Sequence, residues 1–311
     1  MSKTALFFPG QASQYVGMGR DLYDYSARVR QLYELASDEI GADIAKLSFE
    51  GPADSLKQTR FTQPSILLHS LAVLEVLKEN TPAFHYAAGH SLGEYGALVV
   101  TGVISAEDAI KAVAKRASLM EVACQQNPGT MAAILGLDGQ AVEEVCEQAS
   151  SAGVVVPANF NSQSQIAISG EVSAIERAME LAKSAGAKRA IKLEVGGAFH
   201  SPLMEPARIE LEEYLRRISF AEATHPVVAN VTGQPVTFAN KFMSLLVNQV
   251  TSPVKWSQSM GFLTDSGVTT IIEIGPGKVL TGLAKRDMQP TESINLDTLT
   301  DVESFIATTV N

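Results

Sequence analysis

A serine between two glycines, at the junction of an apolar run and a helix-forming segment, constrains the fold more than any other stretch. The pentapeptide is Gly89-His90-Ser91-Leu92-Gly93; it follows residues 84–88 and precedes a helical pattern through Val100. This is the G-x-S-x-G strand-to-helix turn, whose glycines leave no room for side chains and whose serine hydroxyl points outward. The turn predicts an α/β fold with Ser91 as a nucleophile at a helix N-terminus, where N–H groups stabilise an oxyanion. The alternative is an N-capping serine in an ordinary turn.

The composition describes an acidic globular protein. Its 311 residues include 24 Lys plus Arg against 34 Asp plus Glu, a net charge of -10. This charge argues against a general nucleic-acid or anionic-membrane binder, so an anionic partner must meet a local basic patch. Cys124 and Cys146 have no metal or redox spacing, and neither a signal peptide nor a run of about 18 apolar residues is evident. We therefore expect a cytoplasmic protein with reduced thiols, no metal and no membrane segment.

The order of the elements predicts a large domain interrupted by a small one. Residues 130–195 follow the order strand, helix, strand, strand, helix, strand, which is the βαββαβ arrangement of a ferredoxin-like domain. The predicted boundaries are 1–128 and 197–311 for a large α/β-hydrolase-like domain with a mostly parallel sheet, and 129–196 for the insertion. Helices outside the insertion include about 20–40, 64–79 and 106–124. The cleft between two such domains is a common place for a small-molecule pocket.

A histidine follows the small domain directly. Residues 196–202, GGAFHSP, place His200 beside glycines and before a proline-marked turn, where we expect it to be mobile, reachable by solvent and close to the cleft. It is the preferred general base over His85, His90 and His225. A hydrolase elbow is normally followed by an acid and then the histidine, yet most acids between Ser91 and His200 fall in the small domain. A backbone carbonyl or an amide is left to orient the histidine.

An arginine lies on the apolar stripe of the predicted helix 106–124. The neighbours of Arg116 at three and four residues on either side are Ala112, Val113, Leu119 and Met120. A guanidinium facing the interior is costly unless an anion pairs with it, and no acid stands at these spacings. Arg116 either awaits a ligand carboxylate, or snorkels to the surface or reaches a distant Asp or Glu. The spacing alone leaves both alternatives open.

Motifs along the whole chain match one enzyme family in order and spacing. They are residues 8–14, 62–64, 89–94, 116 with 120, 159–162 through 168–170, 198–201, 230–233, 249 ahead of 253–256, and 273–277. On these motifs the chain resembles the bacterial malonyl-CoA:acyl carrier protein transacylases, which load malonyl units for fatty-acid synthesis. The resemblance implies ping-pong transfer from malonyl-CoA to the phosphopantetheine thiol of acyl carrier protein through a malonyl-serine ester. It implies no metal and no cofactor, with malonyl-CoA as substrate.

The resemblance also implies roles for individual residues. Ser91 would be the nucleophile and His200 the base, oriented by the main-chain carbonyl of Gln249. The backbone N–H groups of Gln11 and Leu92 would form the oxyanion hole.

Four more residues would bind the substrate by the same resemblance. Arg116 would bind the malonyl carboxylate, with Met120 nearby and Asn161 in a supporting role. Phe199 matches the malonyl-selecting form of its loop, in which the ring crowds an α-methyl group. One methyl contributes only about 1 to 3 kcal/mol, so we expect partial discrimination against methylmalonyl. Larger or polar residues are frequent at 196–197 in relatives, so the two glycines here put the rigidity of this loop in question.

The remaining expectations concern partners and rival functions. The chain should be a monomer that meets an acidic carrier protein on a basic patch drawn from Lys188, Arg189, Lys192, Lys278, Lys285 and Arg286. The rivals are a serine acyl hydrolase or thioesterase, a discrete acyltransferase of a polyketide pathway, and a non-catalytic docking protein that kept the fold. The elbow alone separates none of these from a fatty-acid transacylase.

Overall fold

The computed structural model describes residues 2–309, which form ten β-strands and fourteen α-helices. The strands are β1 (Lys3–Phe8), β2 (Tyr86–Gly89), β3 (Thr130–Leu135), β4 (Val155–Ser162), β5 (Gln165–Gly170), β6 (Arg189–Lys192), β7 (Val227–Ala229), β8 (Gln234–Val236), β9 (Val268–Ile274) and β10 (Glu292–Leu296). The helices are α1 (Arg20–Tyr25), α2 (Ala27–Ile40), α3 (Ile44–Glu50), α4 (Ala53–Leu56), α5 (Thr59–Leu77), α6 (Gly93–Val100), α7 (Ala106–Gln126), α8 (Gly139–Ala149), α9 (Val172–Ser184), α10 (Glu205–Leu215), α11 (Ala239–Gln249), α12 (Trp256–Asp265), α13 (Val279–Asp287) and α14 (Leu299–Thr309). The chain ends included in the predicted large domain, Met1, Val310 and Asn311, lie outside the described residues.

Six strands form a sheet that is parallel except at one edge. Its order is β10-β9-β1-β2-β7-β8, and only the pair β7–β8 is antiparallel. Residues 5–8 of the central strand β1 are completely buried, as expected for a parallel strand covered on both faces. Phe8 pairs with Gly89, so the loops after β1 and β2 leave the same edge of the sheet. The prediction of an α/β fold with a mostly parallel sheet is confirmed, and this carboxyl edge is where such sheets place their sites.

Four strands form a second, antiparallel sheet in the order β4-β5-β3-β6. One face packs on α8 and α9 through side chains that include Ala132, Ile134 and Ile168. Side chains that alternate with these, Met131 and Ala167, belong instead to the core of the first sheet. Because neighbouring strand residues point to opposite faces, the second sheet joins a core of its own on one side and the larger core, which includes residues of the first sheet, on the other.

Two predicted helices have different limits in the structure. The helix predicted over 20–40 is two helices, because Ser26 leaves the helical conformation and caps α2 through a bond from the Val29 N–H to its Oγ (3.4 Å). Helix α5 begins at Thr59, five residues before Pro64, which was expected to start it. Pro64 removes one bond inside the helix, but nearly all of α5 is buried, and packing outweighs that local cost.

Helices α5 and α7 pack side by side. They bring Gln63 and Arg116 together, with Nη1 of the arginine 2.6 Å from Oε1 of the glutamine. Helix α7 begins where the sequence predicts, since the Ser105 Oγ accepts the Asp108 N–H at 3.0 Å. Neither these two nor any other helix within residues 2–309 has the length and apolar character needed to cross a membrane.

Candidate active site

Ser91 lies on the tight turn between β2 and α6. Its φ of 52° is in the left-handed region, which is strained for a residue with a side chain. The flanking glycines allow the turn: a Cβ at Gly89 would overlap the backbone of Gly93, and a Cβ at Gly93 would overlap the carbonyl of Phe8. The strand-to-helix elbow predicted from the sequence is therefore present, and it directs the Ser91 hydroxyl to the carboxyl edge of the sheet.

The Ser91 hydroxyl lies 2.9 Å from Nε2 of His200. The other ring nitrogen, Nδ1, is 2.8 Å from the main-chain oxygen of Gln249, to which it donates. With its Nδ1 proton held by that carbonyl, the neutral ring keeps Nε2 free to accept the serine proton. The order of contacts is thus hydroxyl, imidazole, carbonyl, with no acid in the third place.

His200 is buried, which corrects one expectation from the sequence. We expected a mobile histidine reachable by solvent, yet only 3% of its surface is exposed and both ring nitrogens are hydrogen-bonded. Burial, followed by the positive charge of Arg116, lowers the pKa of His200 to about 3. The imidazole is therefore neutral near pH 7, the form that accepts a proton.

Arg116 is buried with its guanidinium directed at Ser91. Nη2 donates to the Ser91 Oγ and to Oε1 of Gln249, both at 2.9 Å, and Nη1 donates to Gln63. Only 1% of the residue is exposed, so it does not snorkel. None of the ion pairs among residues 2–309 includes it. The arginine therefore neither reaches the surface nor pairs with a distant Asp or Glu in the described part of the chain. The alternative that remains is an arginine available to a ligand carboxylate beside Ser91.

Two polar side chains that sequence reasoning gave no role support the elbow. Oδ1 of Asn230 accepts the Ser91 N–H at 2.7 Å, and its Nδ2 donates to the carbonyl of Gly89 at 2.6 Å. The buried Glu94 accepts from Nε2 of Gln249 at 2.7 Å and from the Asn230 N–H at 3.2 Å. Both residues occur in the motifs quoted above, but nothing in their local spacing indicates these partners, which are more than 130 positions away in the chain.

The two residues expected to supply an oxyanion hole follow adjacent strands. Gln11 lies in the loop after β1, and Leu92 directly precedes α6. Within residues 2–309, neither backbone N–H donates to a protein acceptor. The structure thus leaves two N–H donors free at the carboxyl edge of the sheet. Leu92 directly follows Ser91 in the chain, and Gln11 lies in the loop after the neighbouring strand β1.

A cavity of about 490 Å³ opens between the two sheets at Ser91. Six of the predicted site residues line it: Gln11, Ser91, Met120, Asn161, Phe199 and His200. Leu92, Arg116 and Gln249 lie outside the lining, although Arg116 contacts the Ser91 hydroxyl directly. The volume is typical of small-molecule sites. No group of three or more His, Cys, Asp or Glu side chains in residues 2–309 is arranged to hold a metal ion.

Three of the lining residues have further contacts that bear on their expected roles. Nε2 of His90 bonds Oδ1 of Asn161 at 2.9 Å, which fixes the amide on the wall of the cavity. Burial lowers the pKa of His90, so the neutral ring donates this bond. Met120 accepts a weak bond from Nε2 of Gln63 at 3.6 Å. Phe199, only 6% exposed, presents its ring to the cavity directly beside His200.

The proposed basic patch divides into two parts. Lys278 and Arg286 line the cavity, and Arg286 Nη1 also donates to Oε1 of Gln165 at 3.1 Å. Lys285 is exposed on the same helix, α13. The other three cations, Lys188, Arg189 and Lys192, are exposed on and beside β6 and take no part in the lining.

Comparison with known proteins agrees over almost the whole chain. Residues 6–300 match the acyl transferase domain family. The malonyl CoA-acyl carrier protein transacylase of Bacillus subtilis (strain 168) is 43% identical over 309 residues, which are 99% of this chain and 98% of that protein. This chain belongs to the malonyl-CoA:acyl carrier protein transacylase family. Like other transacylases of that family, it is an acyltransferase.

Solved structures of related transacylases share the entire fold. The acyl-carrier-protein S-malonyltransferase of Bartonella henselae superimposes with a TM-score of 0.93 at 37% identity, covering 100% of both chains. A malonyl-transacylase in complex with its holo acyl carrier protein from a type II polyketide synthase superimposes with a TM-score of 0.92 at 39% identity. That match covers 99% of this chain and 100% of the other.

Proposed function

We propose that this transacylase moves a malonyl group from malonyl-CoA to the phosphopantetheine thiol of an acyl carrier protein through an ester on Ser91. One observation carries the proposal: the Ser91 hydroxyl lies 2.9 Å from a neutral imidazole and 2.9 Å from an arginine that has no carboxylate of its own. The first contact supplies a base for the nucleophile. The second supplies a partner for the free carboxylate that distinguishes malonyl from other short acyl groups.

The reaction consists of two balanced half-reactions at one serine. Nε2 of His200 takes the Ser91 proton as Oγ attacks the thioester carbonyl; the C–S bond then breaks and the CoA thiolate leaves with the proton from the imidazolium. In the second half-reaction the carrier-protein thiol gives its proton to His200 and attacks the ester. The C–O bond breaks and Ser91 recovers its proton. Alternate use of two substrates through a covalent intermediate gives ping-pong kinetics.

Two neutral backbone groups and one carbonyl complete the proposed catalytic machinery. The free N–H groups of Gln11 and Leu92 stabilise the negative oxygen of the tetrahedral intermediate, a contribution of about 3 to 4 kcal/mol per donor in comparable sites. The Gln249 carbonyl holds the His200 ring with Nε2 toward Ser91. This chemistry requires neither a metal nor a cofactor, since serine supplies the nucleophile and histidine the proton transfer.

Arg116 is the proposed malonyl-binding residue. Guanidinium groups bind carboxylates with two parallel hydrogen bonds, and a bound carboxylate offsets the cost of burying this charge. One N–H of Nη2 points to the hydroxyl that becomes the ester, and Nε has no partner among the described residues. We propose that Phe199 and Met120 limit the space beside the acyl group and that Asn161 contributes a polar contact.

We propose a two-domain organisation for this site. A ferredoxin-like domain over residues 129–196 is inserted between segments 1–128 and 197–311 of an α/β-hydrolase-like domain. The strand order β4-β5-β3-β6 supports it. Numbered by their sequence in the small domain, the four strands lie in the order 2-3-1-4, which is the order of a ferredoxin-like βαββαβ sheet. A separate apolar core between that sheet and α8 and α9 supports it as well.

The proposed carrier-protein surface lies at the mouth of the cavity. Lys278 and Arg286 are there, on a chain whose net charge is -10, so they form a local exception to its acidity. We propose that they meet the phosphates of the substrate or an acidic carrier protein. Both cysteines are free thiols, which supports a reducing compartment such as the cytoplasm.

A second candidate differs only in the pathway served. One related transacylase is bound to a carrier protein of a type II polyketide synthase, which favours keeping a polyketide acyltransferase as the alternative. Incubation with labelled malonyl-CoA and either a fatty-acid or a polyketide holo carrier protein tests both. Label on the fatty-acid carrier protein, dependent on Ser91, supports the first candidate; label on the polyketide carrier alone supports the second. Free malonate and CoA without labelled carrier protein indicate a hydrolase.

A further inference from the structure

A buried carboxylate that the transfer steps do not use lies beside the nucleophile. Glu94 is the second residue of α6 and is 2% exposed. Its Oε2 accepts hydrogen bonds from Nε2 of Gln249 at 2.7 Å and from the Asn230 N–H at 3.2 Å. Within residues 2–309 it forms no ion pair. A buried carboxylate without a direct ion-pair partner is costly, so its place here requires a compensating role.

The side-chain amide of Gln249 connects this carboxylate to the arginine. Its Nε2 donates to Oε2 of Glu94 and to the main-chain oxygen of Ser91, while its Oε1 accepts from Nη2 of Arg116 at 2.9 Å. A flipped amide would place its NH₂ against the guanidinium, donor against donor, and its oxygen against the carboxylate, acceptor against acceptor. Because an ionised carboxylate can only accept, Glu94 favours, together with the Ser91 carbonyl, the orientation that presents Oε1 to Arg116.

The guanidinium is held between two amide oxygens. On one side Oε1 of Gln63 accepts from Nη1 at 2.6 Å, and the Nε2 of that amide reaches only the weak acceptor Sδ of Met120 at 3.6 Å. On the other side Oε1 of Gln249 accepts from Nη2, the same nitrogen that donates to the Ser91 Oγ. The carboxylate therefore helps to fix the amide that accepts from Nη2, the nitrogen in contact with the Ser91 hydroxyl.

We propose that Glu94 is a positioning residue for malonyl selection, which acts through the Gln249 amide to keep Nη2 of Arg116 directed at the acyl group on Ser91. The inference rests on the proposed function, in which Arg116 binds the malonyl carboxylate. Burial raises the pKa of Glu94 to about 7, so at pH 8 its carboxylate is mostly ionised and accepts the amide bond. Acetyl groups lack the carboxylate that Arg116 would bind, so their transfer does not depend on this orientation.

A double-mutant cycle tests the route through the amide. It measures kcat/KM for acylation of Ser91 by malonyl-CoA and by acetyl-CoA at pH 8 in wild type, Glu94→Ala, Gln249→Ala and the double variant. Gln249→Ala removes the amide but keeps the main-chain carbonyl that orients His200. We expect Glu94→Ala to lower the ratio of malonyl to acetyl kcat/KM by about 10- to 100-fold. In the Gln249→Ala background it should change that ratio less than about twofold, because the amide it acts on is gone.

The conservative variant distinguishes positioning from a general effect of the mutation. In Glu94→Gln the Asn230 N–H, which can only donate, holds the new amide oxygen where Oε2 lies, so Gln249 still meets a carbonyl acceptor and the ratio should stay within about threefold of wild type. If Glu94→Ala does not fold, Glu94→Asp replaces it: its carboxylate is one methylene shorter and withdraws from Nε2 of Gln249, so the ratio should again fall.

Three results would overturn the inference. These are an unchanged ratio in a folded Glu94→Ala or Glu94→Asp protein, a full second loss in the Gln249→Ala background, and a loss in Glu94→Gln as large as in Glu94→Ala. Failure of the proposed function looks different. In that case wild-type protein is not acylated by malonyl-CoA, or Arg116→Ala keeps the wild-type preference for malonyl.

Discussion

Nη2 of Arg116 lies 2.9 Å from Oγ of Ser91, and the arginine is buried without a carboxylate in contact. Amide and hydroxyl oxygens accept from Nη1 and Nη2 in the free enzyme, and none of them carries charge. A substrate carboxylate arriving beside Ser91 would provide the missing counter-charge. The proposed nucleophile and the proposed malonyl-binding residue therefore share one contact, which would link acylation to recognition of the acyl group.

The first prediction concerns the pH dependence of acylation. Burial and the charge of Arg116 lower the pKa of His200 to about 3, so the imidazole stays neutral throughout the neutral and mildly acidic range. The rate of CoA release in a single turnover with acetyl-CoA should stay flat from about pH 8 to pH 5, where the protein is still folded by circular dichroism. Arg116→Ala removes a charge that lowers this pKa, so its acid limb should move to higher pH. A wild-type rate that falls tenfold per unit below pH 6.5 would contradict the prediction.

The second prediction concerns stability and the buried Glu94. Burial raises its pKa from 4.5 to about 7 in the folded state. Between these values the folded protein binds more protons than the unfolded chain, so this residue reduces wild-type stability as pH rises from 4.5 to 7. Glutamine does not titrate. The free energy of unfolding of Glu94→Gln minus that of wild type should therefore increase across this window, on the order of 3 kcal/mol, and level off above pH 7.

Urea unfolding at several pH values measures this difference. Glu205→Gln is the matched control, because hydrogen bonds from Arg208 lower the pKa of that exposed carboxyl. Its carboxyl is half protonated in the unfolded state at pH 4.5, so its difference from wild type should fall slightly just above that pH, the opposite direction to Glu94→Gln. From about pH 5.5 to 7 both states are ionised and the difference should be flat. A flat or falling difference for Glu94→Gln in the same range would show that the carboxylate is not penalised by burial.

The third prediction concerns the two glycines before the His200 loop. A Cβ at Gly197 would overlap Sγ of Cys124, whereas Gly196 is exposed and a Cβ there would meet only Thr59 at 3.7 Å. Gly197→Ala should therefore displace the loop that carries Phe199 and lower kcat/KM for malonyl-CoA at least tenfold. Gly196→Ala should change it less than twofold. Equal effects of the two substitutions would mean that the contact with Cys124 does not hold the loop.

The same glycines show what the sequence does not reveal. Relatives often have larger residues at positions 196–197, so the two glycines here put the rigidity of the loop in question. In the structure, however, Gly197 packs against α7 and His200 is buried nearby. The expected exposure of His200 was wrong because the neighbouring glycines indicate local freedom, whereas burial depends on contacts with distant elements. Local pattern describes what a segment can do, and tertiary packing decides among those options.

The site residues likewise fall into two groups, those recognisable from local sequence and those whose contacts come from distant elements. Ser91 was recognisable from its turn and Arg116 from its place on an apolar helical stripe, because both signals lie within a few residues. Glu94, Gln63 and Asn230 were not, since their partners come from other elements. The pairing of β10 with β9 was missed for a similar reason: residues 292–296 have little strand pattern of their own and are ordered by the neighbouring strand.

The central claim is that Ser91 carries the malonyl group and that Arg116 selects it. Intact-mass spectrometry of the protein mixed with malonyl-CoA, acetyl-CoA and methylmalonyl-CoA tests both parts at once, with Ser91→Ala and Arg116→Ala beside the wild type. We predict a malonyl adduct on the wild type that a holo carrier protein removes, no adduct on Ser91→Ala, and loss of the malonyl adduct or its replacement by acetyl on Arg116→Ala. A malonyl adduct that persists in Ser91→Ala, or wild-type protein that stays unmodified while free malonate accumulates, would contradict the account.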